Sequence, residues 1–344
     1  MKETASRSED SPILCVEGLN VNIAAPAGQL HAVRHVNFSV FPGETFCIVG
    51  ESGCGKTITS LALMRLLPAN ARLSATRMDF DGLDMLTLST GDMAALRGDK
   101  IGMIFQDPMT TLNPVYTIGD QMEEVYRRHR TVTRQEARER AEYLLQRVGI
   151  MSPNLRLRQF PHQLSGGLRQ RVMIAMTLMC EPKLIIADEP TTALDVTVQV
   201  QILQLLRTLQ KEFGMAIILI THNLGIVARI ADRLAVMYAG EIIETGGAVE
   251  VFTDPQHPYT QGLLRCLPGY GSRGANKRLG SIPGLVPSLI GKIDGCSFRN
   301  RCQFATTDCA SGDIKLRRLA EQHSYRCRLL TGEAAAISKQ TAVS

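Results

Sequence analysis

The 344-residue sequence has no tryptophan, and phenylalanine and tyrosine together bring its aromatic content to only 5 %. With few aromatics beside its basic residues it lacks a stacking surface for single strands, so no nucleic-acid partner is expected. No apolar run approaches the roughly 18 residues that a membrane-crossing helix needs. The N-terminus, MKETASRSEDSP, is polar and has no apolar centre of the kind a signal peptide carries. The chain is therefore expected in the cytosol, and any work at a membrane requires a partner. No internal repeat is visible, nor the sustained heptads of a long coiled coil. None of the nine cysteines forms a C-x-x-C pair, and in a cytosolic chain they do not make a disulfide framework.

What is present is a core-forming chain, 44 % hydrophobic, of a length that suggests about two domains. Charge is unevenly spread. Residues 259–344 carry 13 Lys/Arg against 5 Asp/Glu, whereas residues 1–258 carry 25 against 28. Such a basic tail reads first as a solvated face, and second as a surface for anionic lipid or an acidic partner.

One string fits G-x-x-x-x-G-K-[ST] throughout: Gly50, Glu51, Ser52, Gly53, Cys54, Gly55, Lys56 and Thr57. A strand-like run, Thr45 to Val49, precedes it and a helix-like run, Ile58 to Leu67, follows; this strand–loop–helix context is the one a phosphate loop requires. Loop amides and the helix N-terminus favour negative charge there. Lys56 is placed to reach the β- and γ-phosphates, and the Thr57 hydroxyl to bind Mg²⁺.

Around this loop, residues 14–23 and 32–40 alternate as strands. Residues 121–149 read as a charged helix ending at Gly149. Leu184 to Asp188 and Ala216 to Thr221 are continuous apolar runs, the pattern of parallel strands covered on both faces. Strands alternating with helices predict an α/β core, with a helical insertion over about 106–180. After about 258, Pro and Gly become frequent and mark a separate, loop-rich tail.

The apolar strand Leu184 to Asp188 ends in adjacent carboxylates, Asp188 and Glu189. Asp188 is the candidate Mg²⁺ ligand and Glu189 the general base for an attacking water. His222 follows the next strand and could contact the γ-phosphate; Gln106 could give its amide to the metal or the water. Ser165, Gly166 and Gly167, in Leu-Ser-Gly-Gly, open a further helix whose Ser-capped N-terminus is fit to bind an anion. One nucleotide is already wrapped by residues 50–57. A second cradle is best used on the nucleotide of another subunit, two subunits lying head to tail.

In this order and spacing, the phosphate loop, Gln106, LSGG, Asp188-Glu189, Ala193-Leu-Asp195 and His222 resemble an ABC-transporter nucleotide-binding subunit. The resemblance implies an α/β P-loop NTPase cassette over residues 12–258, with a helical subdomain at about 106–180 that docks on a membrane subunit. A polar tail (1–11) and a small loop-rich C-terminal extension (259–344) flank it. It implies ATP and Mg²⁺ as ligands, Asp195 in a loop coupling two sites across a dimer, and Ile23 at the adenine-stacking position, where an aromatic is usual. Gln106-Asp-Pro, Asp188 to Gln199 and His257-Pro-Tyr-Thr-Gln-Gly-Leu-Leu264 look like the oligopeptide/dipeptide importer subfamily, which also includes importers of nickel and glutathione. The implied partners are two membrane-spanning permease subunits, a second ATPase (homologous or a second copy) and an extracytoplasmic solute-binding protein. The implied location is the cytoplasmic face of the inner membrane. A soluble ABC ATPase acting on ribosomes or DNA is the rival reading; a single cassette without heptads speaks against it.

Of the cysteines, Cys15, Cys47, Cys54, Cys180 and Cys266 read as small buried or incidental residues. Cys296, Cys302, Cys309 and Cys327 cluster in the tail, a segment with little apolar content that metal binding could help to order. Four thiolates suit a [4Fe–4S] cluster or tetrahedral Zn²⁺. Likeness to importer tails favours the cluster over zinc; reduced structural thiols are the third reading.

Overall fold

The computed structural model describes residues 11–192, 194–267, 281–320 and 323–329. The polar N-terminal segment up to residue 10, Ala193 and parts of the C-terminal extension lie outside the described residues. The chain forms two compact units, each assembled from discontinuous segments.

The first unit comprises residues 1–14, 39–45 and 79–220. Three fully buried parallel strands, Ile101–Ile104, Leu184–Asp188 and Ala216–Thr221, lie side by side, with Ile101 opposite Leu184 and Leu184 opposite Ala216. Burial on both faces is why these strands read as unbroken apolar runs. Between the first two strands the chain runs through helices Pro108–Thr111, Ile118–His129, Arg134–Arg147, Pro153–Leu157 and Gly166–Thr177.

The single helix expected over 121–149 is two helices. Thr133 ends the connection between them, its hydroxyl accepting from the Glu136 N–H while the Glu136 carboxylate accepts from the Thr133 N–H at 2.7 Å. This reciprocal cap starts a new helix, and the β-branched run Thr131-Val-Thr133 supplies no competing helical drive. The buried Glu123 carboxylate then takes Arg134 (2.7 Å) and Arg138 (3.3 Å) from the second helix, stapling the pair.

The second unit comprises residues 15–38, 46–78 and 221–344. Its hairpin of Leu14–Ala25 and Gly28–Val40 matches the alternation seen in the sequence. Strand Thr45–Val49 pairs in parallel with Arg233–Tyr238, which continues antiparallel into Glu241–Gly247. Among the described residues from 281 onward the elements are short, and Ser324–Tyr325 adds to that sheet beside Glu244 and Thr245. Glu244 is fully buried, and its carboxylate accepts from the N–H groups of Gln256 (2.7 Å) and His257 (2.9 Å) and pairs with His323 Nε2 at 2.9 Å.

Candidate active site

In the second unit, the buried strand Thr45–Val49 runs into the glycine-rich loop and then helix Lys56–Leu63. Two glycines are required by close approach. A Cβ at Gly50 would sit 2.2 Å from the Met237 carbonyl oxygen, and one at Gly55 would sit 2.4 Å from that of Ala32. Gly55, at φ 104°, also makes the left-handed entry to the helix. The Lys56 side chain is buried, its ammonium donating to the carbonyls of Gly50 (2.8 Å) and Glu51 (2.9 Å). Ser52, Gly53 and Thr57 are exposed. Cys54 is buried beneath the loop, and burial pushes its thiol up, so it is a packing residue there. Ile23, on strand Leu14–Ala25, is half-buried and opposite Ala71.

In the first unit, Asp188 ends strand Leu184–Asp188 with Glu189 just after it, and Gln106 lies just beyond the end of the adjacent parallel strand Ile101–Ile104, the end at which open α/β sheets bind ligands. Asp188 is buried and Gln106 exposed. Glu189 is a non-glycine residue in the left-handed region, φ 45°, a conformation that costs about 1–3 kcal/mol and gathers at functional sites. Its N–H donates to the Ile220 carbonyl at 2.9 Å and its carboxylate accepts from the Thr192 hydroxyl at 2.7 Å. The strained backbone thus aims a held carboxylate off the strand end.

Ser165 caps helix Gly166–Thr177 as expected, its Oγ accepting from the Leu168 N–H at 3.4 Å. Gly166 and Gly167 pack against Leu194 and Val198, where a Cβ would approach to 3.5 and 3.2 Å. Asp195 lies between those two contacts, exposed at the start of helix Val196–Phe213. The LSGG segment and the Asp195 loop are therefore one packed surface. His222 is exposed after strand Ala216–Thr221, and Asn223 beside it caps Leu224–Ile230.

A phosphate loop following a buried strand, a carboxylate on a left-handed residue at the end of another buried strand and a capped LSGG helix are the features a comparison can use. The ABC transporter family model matches residues 33–192, and the model of the oligopeptide/dipeptide transporter C-terminal region matches residues 243–309. The dipeptide transport ATP-binding protein DppD of Bacillus subtilis is 50 % identical over 291 residues, covering 84 % of this chain and 86 % of its own length. The chain belongs to the peptide-importer branch of the ABC transporter ATPases. OppD of Bacillus subtilis, an oligopeptide transport ATP-binding protein, is 46 % identical over 332 residues, with 96 % of this chain and 92 % of its own length covered. DppD of Escherichia coli is 46 % identical over 315 residues, covering 92 % and 96 %. Among solved structures, the ATP-binding cassette MJ0796, a post-hydrolysis dimer bound to ADP and Pi, aligns with TM-score 0.61 at 27 % identity over 68 % of this chain and 98 % of its own. CbiO1 from Clostridium perfringens aligns with TM-score 0.61 at 32 % identity over 71 % and 92 %. This peptide-importer-type subunit is accordingly an ATPase of the cassette fold.

The importer motif His257-Pro-Tyr-Thr has a structural explanation. His257 Nδ1 accepts from the Tyr259 N–H at 3.0 Å, Pro258 takes the first turn, and helix Pro258–Arg265 begins. Full burial lowers the His257 ring to about 3, so it serves as a neutral cap. The motif thereby fixes Tyr259, whose hydroxyl accepts from the Glu51 N–H at 3.0 Å.

Sequence reading gave Tyr259 no role of its own and missed Arg301. Reading the basic tail as solvated surface concealed the latter. The Arg301 side chain is 5 % exposed and paired with Glu51, and Arg326 is 13 % exposed beside Glu241. Only the fold tells a buried arginine from a solvated one.

Cys296, Cys302, Cys309 and Cys327 converge, lining one cavity of about 10 Å³ with Phe298, Phe304 and Leu329. Burial pushes the Cys296 and Cys302 thiols up to about 11, and Cys327 up as well. Among the described residues no group of three or more His, Cys, Asp or Glu side chains is placed to hold a metal ion. Likewise, no helix among them is long and apolar enough to cross a membrane.

Proposed function

We propose that this ATPase powers the uptake of dipeptides or oligopeptides, working at the cytoplasmic face of the inner membrane beneath two permease subunits fed by an extracytoplasmic solute-binding protein. The observation that carries this reading is the union, in one chain, of the cassette with the oligopeptide/dipeptide C-terminal region at 243–309. The helices between residues 106 and 180 are the surface for the permease. The second ATPase is a homologue or another copy of this chain, in line with the dimer of the cassette MJ0796.

Residue roles follow from chemistry. Loop amides of residues 50–57 and the Lys56 ammonium bind the triphosphate, where such electrostatic contacts supply most of the transition-state stabilisation. Thr57, Asp188 and Gln106 provide hydroxyl, carboxylate and amide oxygens, the hard donors suited to Mg²⁺. Mg²⁺, when bound, offsets phosphate charge. Glu189 takes the proton of the attacking water and His222 reads the γ-phosphate. Ser165, Gly166 and Gly167 cap the nucleotide held by the partner subunit, and Asp195 couples the two sites. Ile23 packs on adenine without a π-face.

For the four tail cysteines, likeness to importer tails, rather than their placement around one cavity, favours a thiolate-held [4Fe–4S] cluster over Zn²⁺, with reduced structural thiols as the third reading. Folded protein purified anaerobically and free of iron, sulfide and zinc would remove that part. The main test is uptake of labelled peptides into vesicles bearing the full complex. ATP-dependent uptake abolished by Glu189→Gln supports the proposal; robust uptake of another solute class with none of peptide refutes it.

A further inference from the structure

Glu51, the second residue of the phosphate loop, is pinned at three points. Its N–H donates to the Tyr259 hydroxyl at 3.0 Å, and its carbonyl accepts from Lys56 at 2.9 Å. Its carboxylate receives a two-pronged bond from Arg301, Nη1 to Oε2 at 2.6 Å and Nη2 to Oε1 at 3.0 Å. Two of these three partners, Tyr259 and Arg301, come from the oligopeptide/dipeptide C-terminal region. A cassette core does not hold them itself.

Arg301 has its donors fully committed. Besides the two bonds to Glu51, Nε donates to the Pro283 carbonyl at 2.9 Å, Nη2 to the Ile282 carbonyl at 3.0 Å and Nη1 to the Tyr238 hydroxyl at 3.4 Å. Those contacts use all five N–H groups of a guanidinium. The cation also lies 5.8 Å from the Tyr238 ring centroid and 5.9 Å from that of Phe298. Tyr238, Tyr259 and Phe298 pack on one another with centroids 4.6 to 5.3 Å apart, so the arginine sits in a rigid aromatic seat. An arginine held this way does not swing out to a phosphate without giving up its whole set of bonds. Its effect is on Glu51.

That effect matters because of where the carboxylate stands. Glu51 is one residue from Gly50 in a loop whose amides receive a polyanion, and its side chain is 27 % exposed. A loose carboxylate there repels phosphate and competes for the same N–H groups. A carboxylate locked onto a buried cation does neither, and removing one partner of such a pair strands the other.

We propose that Arg301 is a positioning residue for nucleotide binding: the C-terminal region reaches back to fix and neutralise Glu51, so that the loop offers amides, not a free carboxylate, to the triphosphate. This rests on the ATPase reading of the loop. The extension is then part of the nucleotide-binding unit.

The test is equilibrium binding of ATP with Mg²⁺ to the full chain, with unfolding midpoints measured alongside. Arg301→Gln is expected to weaken binding about tenfold, equivalent to ~1.4 kcal/mol. Adding Glu51→Gln to that variant removes the stranded charge and is expected to restore affinity to within about threefold of wild type, the non-additivity of a coupled pair. Arg301→Lys keeps the charge without the fork and should fall between wild type and Arg301→Gln. A purely structural arginine predicts the opposite for the pair, since a second substitution cannot repair lost packing. Folded Arg301→Gln binding within twofold of wild type, or a double variant no tighter than the single one, would overturn the proposal. Wild-type chain that binds no nucleotide at all would overturn the ATPase reading as well.

Discussion

Glu189 concentrates the chemistry at the residue scale. Its left-handed backbone, its bond to Ile220 and its hydroxyl partner Thr192 hold one carboxylate in a conformation the chain would not choose freely. Replacing it with glutamine keeps shape and hydrogen bonding but removes the base. Glu189→Gln is expected to retain ATP binding while phosphate release falls on the order of 10²-fold or more, the scale for a general base. Phosphate release in the assembled transporter unchanged by the substitution would take the role away from Glu189. His257 offers a second test. Its ring is neutral in the fold, lowered to about 3 by burial and by the nearby Arg326, whereas the ordinary value is 6.5. Between those values the unfolded chain binds the extra proton, so stability falls as pH drops from about 6.5 towards 3. His323, raised chiefly by its bond to Glu244, acts in the other direction: its contribution is present below the usual histidine range and fades as pH rises. His257→Asn preserves a cap acceptor without the titration. Wild type should lose on the order of 1 kcal/mol more per pH unit than the variant between pH 6 and 5, read from denaturant midpoints. Parallel slopes would mean that the ring takes up its proton in the fold.

Elements were the most legible scale. Strands Thr45–Val49, Leu184–Asp188 and Ala216–Thr221 declare themselves because both their faces are covered, leaving no polar alternation to interrupt the run. The break before Thr133 was not legible from periodicity, because Arg, Glu and Gln suit a helix on either side of it. What decides it is the Thr133-x-x-Glu136 cap, a local start signal that the run of helix-favouring charged residues on both sides conceals. The motif residues were readable for the same reason that they work: a glycine whose added Cβ would fall 2.2 Å from a carbonyl oxygen admits no substitute. Ser165 is readable as a cap but its acceptor is local, so the sequence cannot say which nucleotide the helix end meets. Ser165→Ala should cost about 0.5–1 kcal/mol of stability as a lost cap. ATP affinity of the isolated chain should stay within about twofold, whereas hydrolysis by the paired assembly should fall by about tenfold or more, since removing a transition-state donor costs at least that. An equal loss in the isolated chain's binding would mean that this helix end serves its own subunit.

At the scale of the whole molecule, the least legible feature is how the extension joins the cassette. Composition marks residues after 258 as loop-rich and basic, yet those residues supply a strand to the sheet, a buried cation to the phosphate loop and one partner, His323, to the Glu244 carboxylate. Each tie is long-range, between residues tens to hundreds of positions apart, and none leaves a local pattern. The charge excess in the tail was thus only partly surface; Arg301 and Arg326 are interior cations.

The pairing of Ser324 and Tyr325 with Glu244 and Thr245 has a practical consequence. A version of this protein trimmed at residue 258 to a minimal cassette would leave the backbone groups of strand Glu241–Gly247 that face Ser324 to Arg326, at Ile243, Glu244 and Thr245, without those partners. It would also strip His323 from a carboxylate that has no access to water. Bare sheet margins recruit neighbours. The shortened protein should form soluble oligomers or precipitate at concentrations where the full chain scatters light as a single species, and shortening it for tractability would make it harder to handle.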